Sequence, residues 1–258
     1  MRPPCNTQDK VACRFHSTKP ILMKSLDDKL GVPRLTQASP AESFSSQRKD
    51  MIQKQLERRG IADSRVLAAM DAVPREEFVP QEVRSRAYED APLPIGEGQT
   101  ISQPYIVAAM TAALRLTGSE RVLEVGTGCG YQAAILSRLA QCVYTVEARP
   151  KLASDAAARL LHLGYSNVHG HCGDGTLGLP EAAPFDAILV AAAAPAVPEP
   201  LRAQLAQGGR LILPVGDATD QELRYIEKHG NTFFTRSLEG CRFVPLVGLH
   251  GWKEPPAR

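Results

Sequence analysis

Residues Arg121 to Leu139, RVLEVGTGCGYQAAILSRL, decide the fold. Val122, Leu123 and Val125 form a short apolar run interrupted by a single acid, Glu124. A glycine loop follows, Gly126-Thr127-Gly128-Cys129-Gly130, and then a helical pattern through Ala133, Ala134, Leu136 and Leu139. Strand, tight turn and helix are the implied elements. Glycine has no side chain to keep a ligand away from bare backbone. The helix that follows aims its unpaired N–H groups at the same place. The unit outlines a pocket for a nucleotide cofactor.

Downstream the elements alternate. Cys142 to Val146 reads as a strand ending at Glu147, and Pro150 opens a helix through Leu163 that Gly164 stops. Asn167 to His171 is a short strand leading to Gly173-Asp174-Gly175, and Phe185 to Ala191 is a strongly apolar strand. Pro198 or Pro200 starts a helix to about Leu205, and Gly208-Gly209 turns the chain into a strand from Arg210 to Pro214. Such alternation predicts an α/β fold with a doubly wound, mostly parallel sheet. The tail differs: Leu223 to Lys228, Thr232 to Leu238 and Arg242 to Val247 read as strands without helices between them. They predict an antiparallel edge at the C-terminal side of the sheet.

Upstream, a helix is expected from about Ala41, carrying Met51, Ile52 and Leu56 and stopped by Gly60. Asp63 or Ser64 caps a second helix with Val66, Leu67 and Met70, ending before Pro74. These helices form an N-terminal layer against the sheet. Between Ala91 and Pro104 lies a stretch too rich in Pro and Gly for a helix, and a loop this long in a compact domain tends to be functional. Ser102 or Gln103 is placed to cap the next helix, with Pro104 at its first position. That helix carries Ile106, Val107, Met110 and Leu114.

Composition narrows the function classes. A formal net charge of +2 gives no reason to expect a polyanionic partner. The positive charge is concentrated in residues 1–49, with nine Lys/Arg against four Asp/Glu. Residues 1–40 lack sustained periodicity and are expected to be a disordered basic extension. The N-terminus lacks the apolar core of a secretory signal, while its basic first residues leave a transit-peptide reading open. No apolar run approaches the ~20 residues that span a bilayer. The six cysteines contain no C-x-x-C pair, so neither a zinc site nor a disulfide frame is indicated. Reduced thiols in a cytoplasmic chain are expected. His162, His169 and His171 are read as surface or packing residues.

The glycine spacing discriminates between cofactors. A dinucleotide fold shows G-x-G-x-x-G. Here the spacing is G-x-G-x-G, with Glu124 two residues before the first glycine. This pattern resembles the first motif of Rossmann-like S-adenosylmethionine methyltransferases. The resemblance implies S-adenosyl-L-methionine as cofactor and a sheet of that type. It places Gly126, Thr127, Gly128 and Gly130 against the methionine end, with Glu124 holding the amino group directly or through water. It makes Glu147 the acceptor for the ribose hydroxyls. Asp174 and Gly175, after the third strand, fall where such enzymes hold adenine. Glu124 also admits a plainer account, as a surface acid at a strand end.

The resemblance becomes more specific upstream. Pro92-Leu-Pro-Ile-Gly-Glu-Gly-Gln-Thr-Ile-Ser-Gln-Pro104, followed by Val122-Leu-Glu-Val-Gly-Thr-Gly-Cys-Gly-Tyr-Gln132, is similar to the bacterial-type protein-L-isoaspartate O-methyltransferases. Ala72-Val-Pro-Arg-Glu-Glu-Phe-Val79, Pro184-Phe-Asp-Ala-Ile188, Gly209-Arg-Leu-Ile-Leu-Pro-Val-Gly216 and Arg242-Phe-Val-Pro-Leu-Val247 also match. The likeness covers roughly residues 48–249. It implies one methyltransferase domain over 41–258: N-terminal helices and substrate loop (41–115), cofactor core (121–216) and C-terminal strands (217–258). It implies methyl transfer to the free α-carboxylate of L-isoaspartyl residues in damaged proteins, which begins repair through a succinimide.

Ser102 is then the expected catalytic residue, donating to the substrate carboxylate, with Thr100 assisting. Val215 borders the peptide groove, and Gln221 touches cofactor or substrate. No metal is expected. The implied partners are isoaspartyl proteins and peptides, with neither nucleic acid nor membrane involved, and the chain is expected to be a monomer. Cys129 departs from the family's usual serine; its place at a helix N-terminus favours a lowered thiol pKa. Three other readings remain: a methyltransferase acting on a small molecule or nucleic acid, a non-catalytic cofactor-binding module, and a nicotinamide dehydrogenase, the last disfavoured by the glycine spacing.

Overall fold

A computed structural model describes residues 40–253, with side chains from Ser43 onward. The expected extension, residues 1–40, lies almost wholly outside the described residues.

The N-terminal layer begins with α1 (Pro40–Met51), which continues through one π turn (Ile52–Leu56) and one 3-10 turn (Glu57–Arg59). Gly60 ends it in the left-handed conformation, φ 90°. Asp63 caps α2 (Ser64–Ala72) by accepting hydrogen bonds from the N–H groups of Arg65 and Val66. Both endings follow from ordinary cap chemistry.

The Pro/Gly-rich stretch is not a loop. It is a β-hairpin of β1 (Leu93–Gly96) and β2 (Gln99–Ile101). Its tip takes three successive left-handed residues: Gly96 (φ 92°), Glu97 (φ 50°) and Gly98 (φ 68°). The two glycines make that tip accessible, while buried Leu93 and Ile101 pair at the other end and anchor it. The helix α3 (Pro104–Ala113) follows.

The main sheet contains β3 (Arg121–Val125), β4 (Cys142–Glu147), β5 (Val168–Cys172), β6 (Phe185–Val190), β7 (Leu205–Gly216), β8 (Gln221–His229) and β9 (Thr232–Cys241). Their spatial order is β5-β4-β3-β6-β7-β8-β9. The pairs from β5 to β7 are parallel, and β7-β8 and β8-β9 are antiparallel. The helices α4 (Tyr131–Ser137), α5 (Pro150–His162) and α6 (Glu199–Ala203) make the connections. Successive strand residues serve opposite faces. Val122, Ala187, Leu189 and Ile212 pack with the N-terminal helices. Leu123, Val125, Ile188, Val190, Leu211 and Leu213 fill the other face. Every residue of β3 is buried, so the glycine loop springs from a fixed base.

Two expectations at the C-terminal side need correction. The Gly208-Gly209 pair does not precede a strand but lies inside β7, at a bulge opposite Phe185 and Ala187. Gly208 has φ 70°, and a Cβ on Gly209 would stand 2.8 Å from the Ala206 carbonyl oxygen. The segment Arg242 to Val247 is extended but is not a strand. It crosses the ends of the parallel strands, with Val244 accepting from Ala193 N and Leu246 donating to the Ala193 carbonyl, both at 2.8 Å. Its run of apolar residues looks strand-like, yet they line a cavity wall. Among the described residues no helix is long and apolar enough to cross a membrane.

Candidate active site

The glycine loop leaves β3 with Gly126 N donating to the Val146 carbonyl at 2.8 Å. Gly126, Gly128 and Gly130 all have positive φ, at 93°, 52° and 89°. Gly130 N closes the turn onto the Thr127 carbonyl, and Gly130 is the N-cap of α4. Glu147, at the end of β4, holds the loop from its neighbour: one carboxylate oxygen accepts from Gly128 N at 2.8 Å and the other from Arg149 N at 3.0 Å. A Cβ on Gly128 would come within 3.3 Å of Ile95 in the hairpin, and one on Gly175 within 2.5 Å of Val125 Cγ1. Backbone is therefore presented where side chains have no room.

In front of the loop lies a cavity of about 420 Å³, within the roughly 300–1,000 Å³ of small-molecule sites. Three segments enclose it. The first is the loop with Glu147, Ala191 and Gly175; the second is the hairpin from Glu97 to Ser102; the third is the crossing segment from Phe243 to Val247. One side thus carries bare N–H groups and an acid, and another is apolar. That combination fits a nucleoside bearing a charged amino-acid tail.

Thr100, Ser102, Gly126, Thr127, Gly128, Glu147 and Gly175 are all in the wall, as the sequence led us to expect. Ser102 is not the cap of α3; that position is Gln103, without a side-chain cap bond. Among the described residues the half-buried Ser102 hydroxyl makes no hydrogen bond to protein. Its carbonyl is held by Arg75 Nη2 at 2.7 Å.

Glu124, Asp174, Val215 and Gln221 sit behind the wall. Glu124 is fully buried, so its reading as a surface acid does not hold. One of its oxygens accepts from Thr145 Oγ1 at 2.5 Å, and the Thr145 and Thr127 hydroxyls are 2.5 Å apart. Its other oxygen has no hydrogen-bond partner. Burial pushes the Glu124 carboxyl up to about 8, against the Thr145 hydrogen bond and with help from the Glu147 charge. Through Thr145 and Thr127 this acid is linked to the cavity without touching it.

Asp174 accepts from Thr176 N and Oγ1 with one oxygen and from Leu249 N with the other. Burial alone would raise its carboxyl, but these bonds outweigh it and hold it below its usual range. Gln221 accepts from Phe243 N at 2.7 Å and donates to the Asp217 carbonyl at 2.9 Å, stapling the start of the crossing segment. Val215 is buried and forms a bridge with Ala194.

The sequence reading missed Tyr131, Gln132, Met110 and the Phe243–Val247 wall. Gln132, which donates to Thr111 Oγ1 at 2.9 Å, was marked only by following the glycine loop. Cys129 corrects an expectation. It is buried, and burial pushes its thiol up, outweighing nearby Arg75 and Arg159.

Sheet order, glycine cradle and acid at the end of the second parallel strand together define a Rossmann-like methyltransferase. The chain belongs to the protein-L-isoaspartate(D-aspartate) O-methyltransferase family, which it matches over residues 46–251. It is 57% identical over 209 residues to the protein-L-isoaspartate O-methyltransferase of Roseiflexus castenholzii, covering 81% of this chain and 95% of that protein. Identity is 58% over 207 residues with protein-L-isoaspartate O-methyltransferase 2 of Pelobacter propionicus, covering 80% and 92%. A solved protein-L-isoaspartate O-methyltransferase superimposes with a TM-score of 0.72 at 32% identity, over 79% of this chain and 66% of that one. A Plasmodium falciparum protein solved with S-adenosyl-L-homocysteine shares the fold, with a TM-score of 0.68 at 24% identity over 79% of this chain and 98% of that one.

Proposed function

We propose that the chain transfers a methyl group from S-adenosyl-L-methionine to the α-carboxylate of L-isoaspartyl residues in damaged proteins and peptides, initiating their repair to aspartate through a succinimide. The observation that carries this reading is the unpartnered Ser102 hydroxyl in the same cavity wall as the glycine cradle and Glu147. Bound S-adenosyl-L-methionine supplies an electrophilic methyl group on a sulfonium. The acceptor carboxylate, with a pKa near 4, is already ionised at neutral pH and needs no base. No histidine lines the cavity among the described residues, consistent with chemistry that moves no proton. The protein's task is to hold the carboxylate in line and exclude water. Orientation of this kind supplies on the order of 7–11 kcal/mol.

Ser102 donates to the carboxylate, with Thr100 beside it. Glu147 accepts from the ribose hydroxyls, and the backbone of Gly126, Thr127 and Gly128 borders the methionine portion, while Gly130 lies outside the wall and closes the turn behind them. Glu124 answers the amino group through the Thr145–Thr127 hydroxyl pair. Gly175 lies against adenine, and Asp174 shapes that turn. Val215 and Gln221 act from behind, by supporting the crossing segment.

One methyltransferase domain over 41–258, working as a cytoplasmic monomer without nucleic acid or membrane, completes the proposal. The near-neutral charge and the lack of a disulfide among the described cysteines support it. Radiolabelled methyl transfer to paired peptides differing only in aspartyl or isoaspartyl linkage tests the function. Label on the isoaspartyl peptide alone is expected; label on both equally, or on neither, overturns it.

A further inference from the structure

Among the described residues, Arg75 is the largest fully buried side chain. It follows Pro74, the N-cap of a 3-10 turn, in the Val73-Pro-Arg-Glu-Glu-Phe78 stretch. Its Nε donates to the Ala87 carbonyl at 2.7 Å and its Nη2 to the Ser102 carbonyl at 2.7 Å. Its guanidinium carbon stands 4.9 Å from the centre of the Tyr131 ring, at the start of α4. Nη1 makes no hydrogen bond of ordinary geometry. Among the described residues no carboxylate forms an ion pair with it. A buried cation ordinarily has such a partner, because desolvating an uncompensated charge is costly. Desolvation accordingly pushes this guanidinium below its usual range.

The placement gives a reason to keep that charge. Ser102 and Tyr131 both line the cavity, one on the acceptor side and one beside the cofactor loop. Arg75 stands behind both and touches both. A neutral side chain of similar volume could fill the space, but it could not grip two carbonyls and an aromatic face in fixed relative positions. The planar fork of arginine does this, and lysine lacks it.

We infer that Arg75 is a positioning residue for the methyl transfer: through the Ser102 carbonyl it fixes the acceptor-binding hydroxyl relative to the Tyr131 end of the cofactor loop. The inference rests on the reading of Ser102 as the group that holds the acceptor.

The test is a double-mutant cycle on the full chain with Arg75→Met, Arg75→Lys, Ser102→Ala and the pair Arg75→Met/Ser102→Ala. Turnover of an isoaspartyl peptide and calorimetric affinity for S-adenosyl-L-homocysteine are measured for each. Arg75→Met is expected to lower kcat/KM at least tenfold, changing cofactor affinity by no more than about twofold. Arg75→Lys should recover only part of the loss. The pair should be no worse than Ser102→Ala alone, since a group acting through another is non-additive with it. Additive losses overturn the inference and leave the Ser102 reading intact, as does turnover of Arg75→Lys equal to that of the parent. Cofactor affinity falling in step with turnover, or failure of both Arg75 variants to fold, assigns Arg75 to the scaffold and also overturns it. Full activity of Ser102→Ala removes the Ser102 reading itself, and the positioning role with it.

Discussion

The two sides of the cavity are built on different principles. The side proposed for the cofactor is backbone: positive-φ glycines, the ends of β3 and β4, and a carboxylate that tethers the loop. Its supports are strands buried on both faces. The side proposed for the acceptor is side chain and edge: a two-stranded hairpin, the hydroxyls of Thr100 and Ser102, and a crossing segment held by isolated bridges. A rigid backbone cradle suits one invariant cofactor. A hairpin and an open rim suit acceptors that share only a carboxylate on differing chains. If this division is real, the effects of mutation should sort by side.

The largest effect is expected at Glu147. Glu147→Ala removes the acceptor for Gly128 N and Arg149 N as well as the proposed ribose contact. Each hydrogen bond to a charged group contributes about 1.5–3 kcal/mol. Calorimetry should show cofactor affinity reduced at least ~100-fold, with KM for peptide little changed at saturating cofactor. Equal damage to both constants would break the division.

Next comes the acceptor side. On the proposed role, Ser102→Ala deletes one charge-assisted hydrogen bond to the acceptor, a loss of roughly 10- to 100-fold in kcat/KM for an isoaspartyl peptide. Cofactor affinity should stay within error. Unchanged turnover would take Ser102 out of the mechanism.

A third effect, graded at about tenfold per pH unit, is expected on changing pH. Glu124 in the free protein titrates near 8, above its usual carboxylate value of 4.5. A raised folded-state pKa stabilises the free protein at low pH. That contribution is full below about 4.5 and is lost as pH rises to about 8, because the unfolded chain gives up the proton first. Binding an ammonium group favours the ionised acid, so affinity for S-adenosyl-L-homocysteine should rise about tenfold per unit below pH 8 and then level off. The slope should disappear in Glu124→Gln. A slope that survives the substitution would separate Glu124 from the amino group.

The same division explains what the sequence disclosed. Backbone chemistry leaves a local signature: three glycines at fixed spacing, and an acid where the next strand stops, are readable because φ > 0 and strand ends are local facts. Strand–helix alternation disclosed the parallel sheet for the same reason. Tertiary placement was less legible. Glu124 and Asp174 were recognisable as acids of the motif, but only the packed structure shows that both sit behind the wall with partners of their own. The hairpin was hidden because Pro and Gly dominate its composition, although Leu93 and Ile101 carried its pairing. Phe243 to Val247 is a short apolar run, which reads as a strand, yet all five residues line the cavity. Arg75 lay in a stretch matching the family but carried no role there, since its meaning arises from Ala87, Ser102 and Tyr131, up to 56 residues away in sequence.

The smallest effect is expected at Trp252, which measures how firmly the crossing segment is held. Its indole N–H donates to the Ala193 carbonyl at 3.0 Å, and its backbone N–H donates to Leu246 at 2.7 Å. Trp252→Phe removes only the first bond. The Ala193 carbonyl keeps a second donor, Leu246 N, so no buried acceptor is orphaned. The cost should therefore lie near the net value of one neutral hydrogen bond, about 1 kcal/mol. For a chain of this size that corresponds to a fall in Tm of roughly 2–4 °C. A modest rise in peptide KM should accompany it, because Leu246 belongs to the wall. Cofactor affinity should not move, since the glycine loop and Glu147 are tied to β3 and β4 rather than to this segment. A loss of cofactor affinity larger than the loss of peptide affinity would show that the crossing segment serves the cradle, and the boundary between the two sides would have to be redrawn through Phe243–Val247.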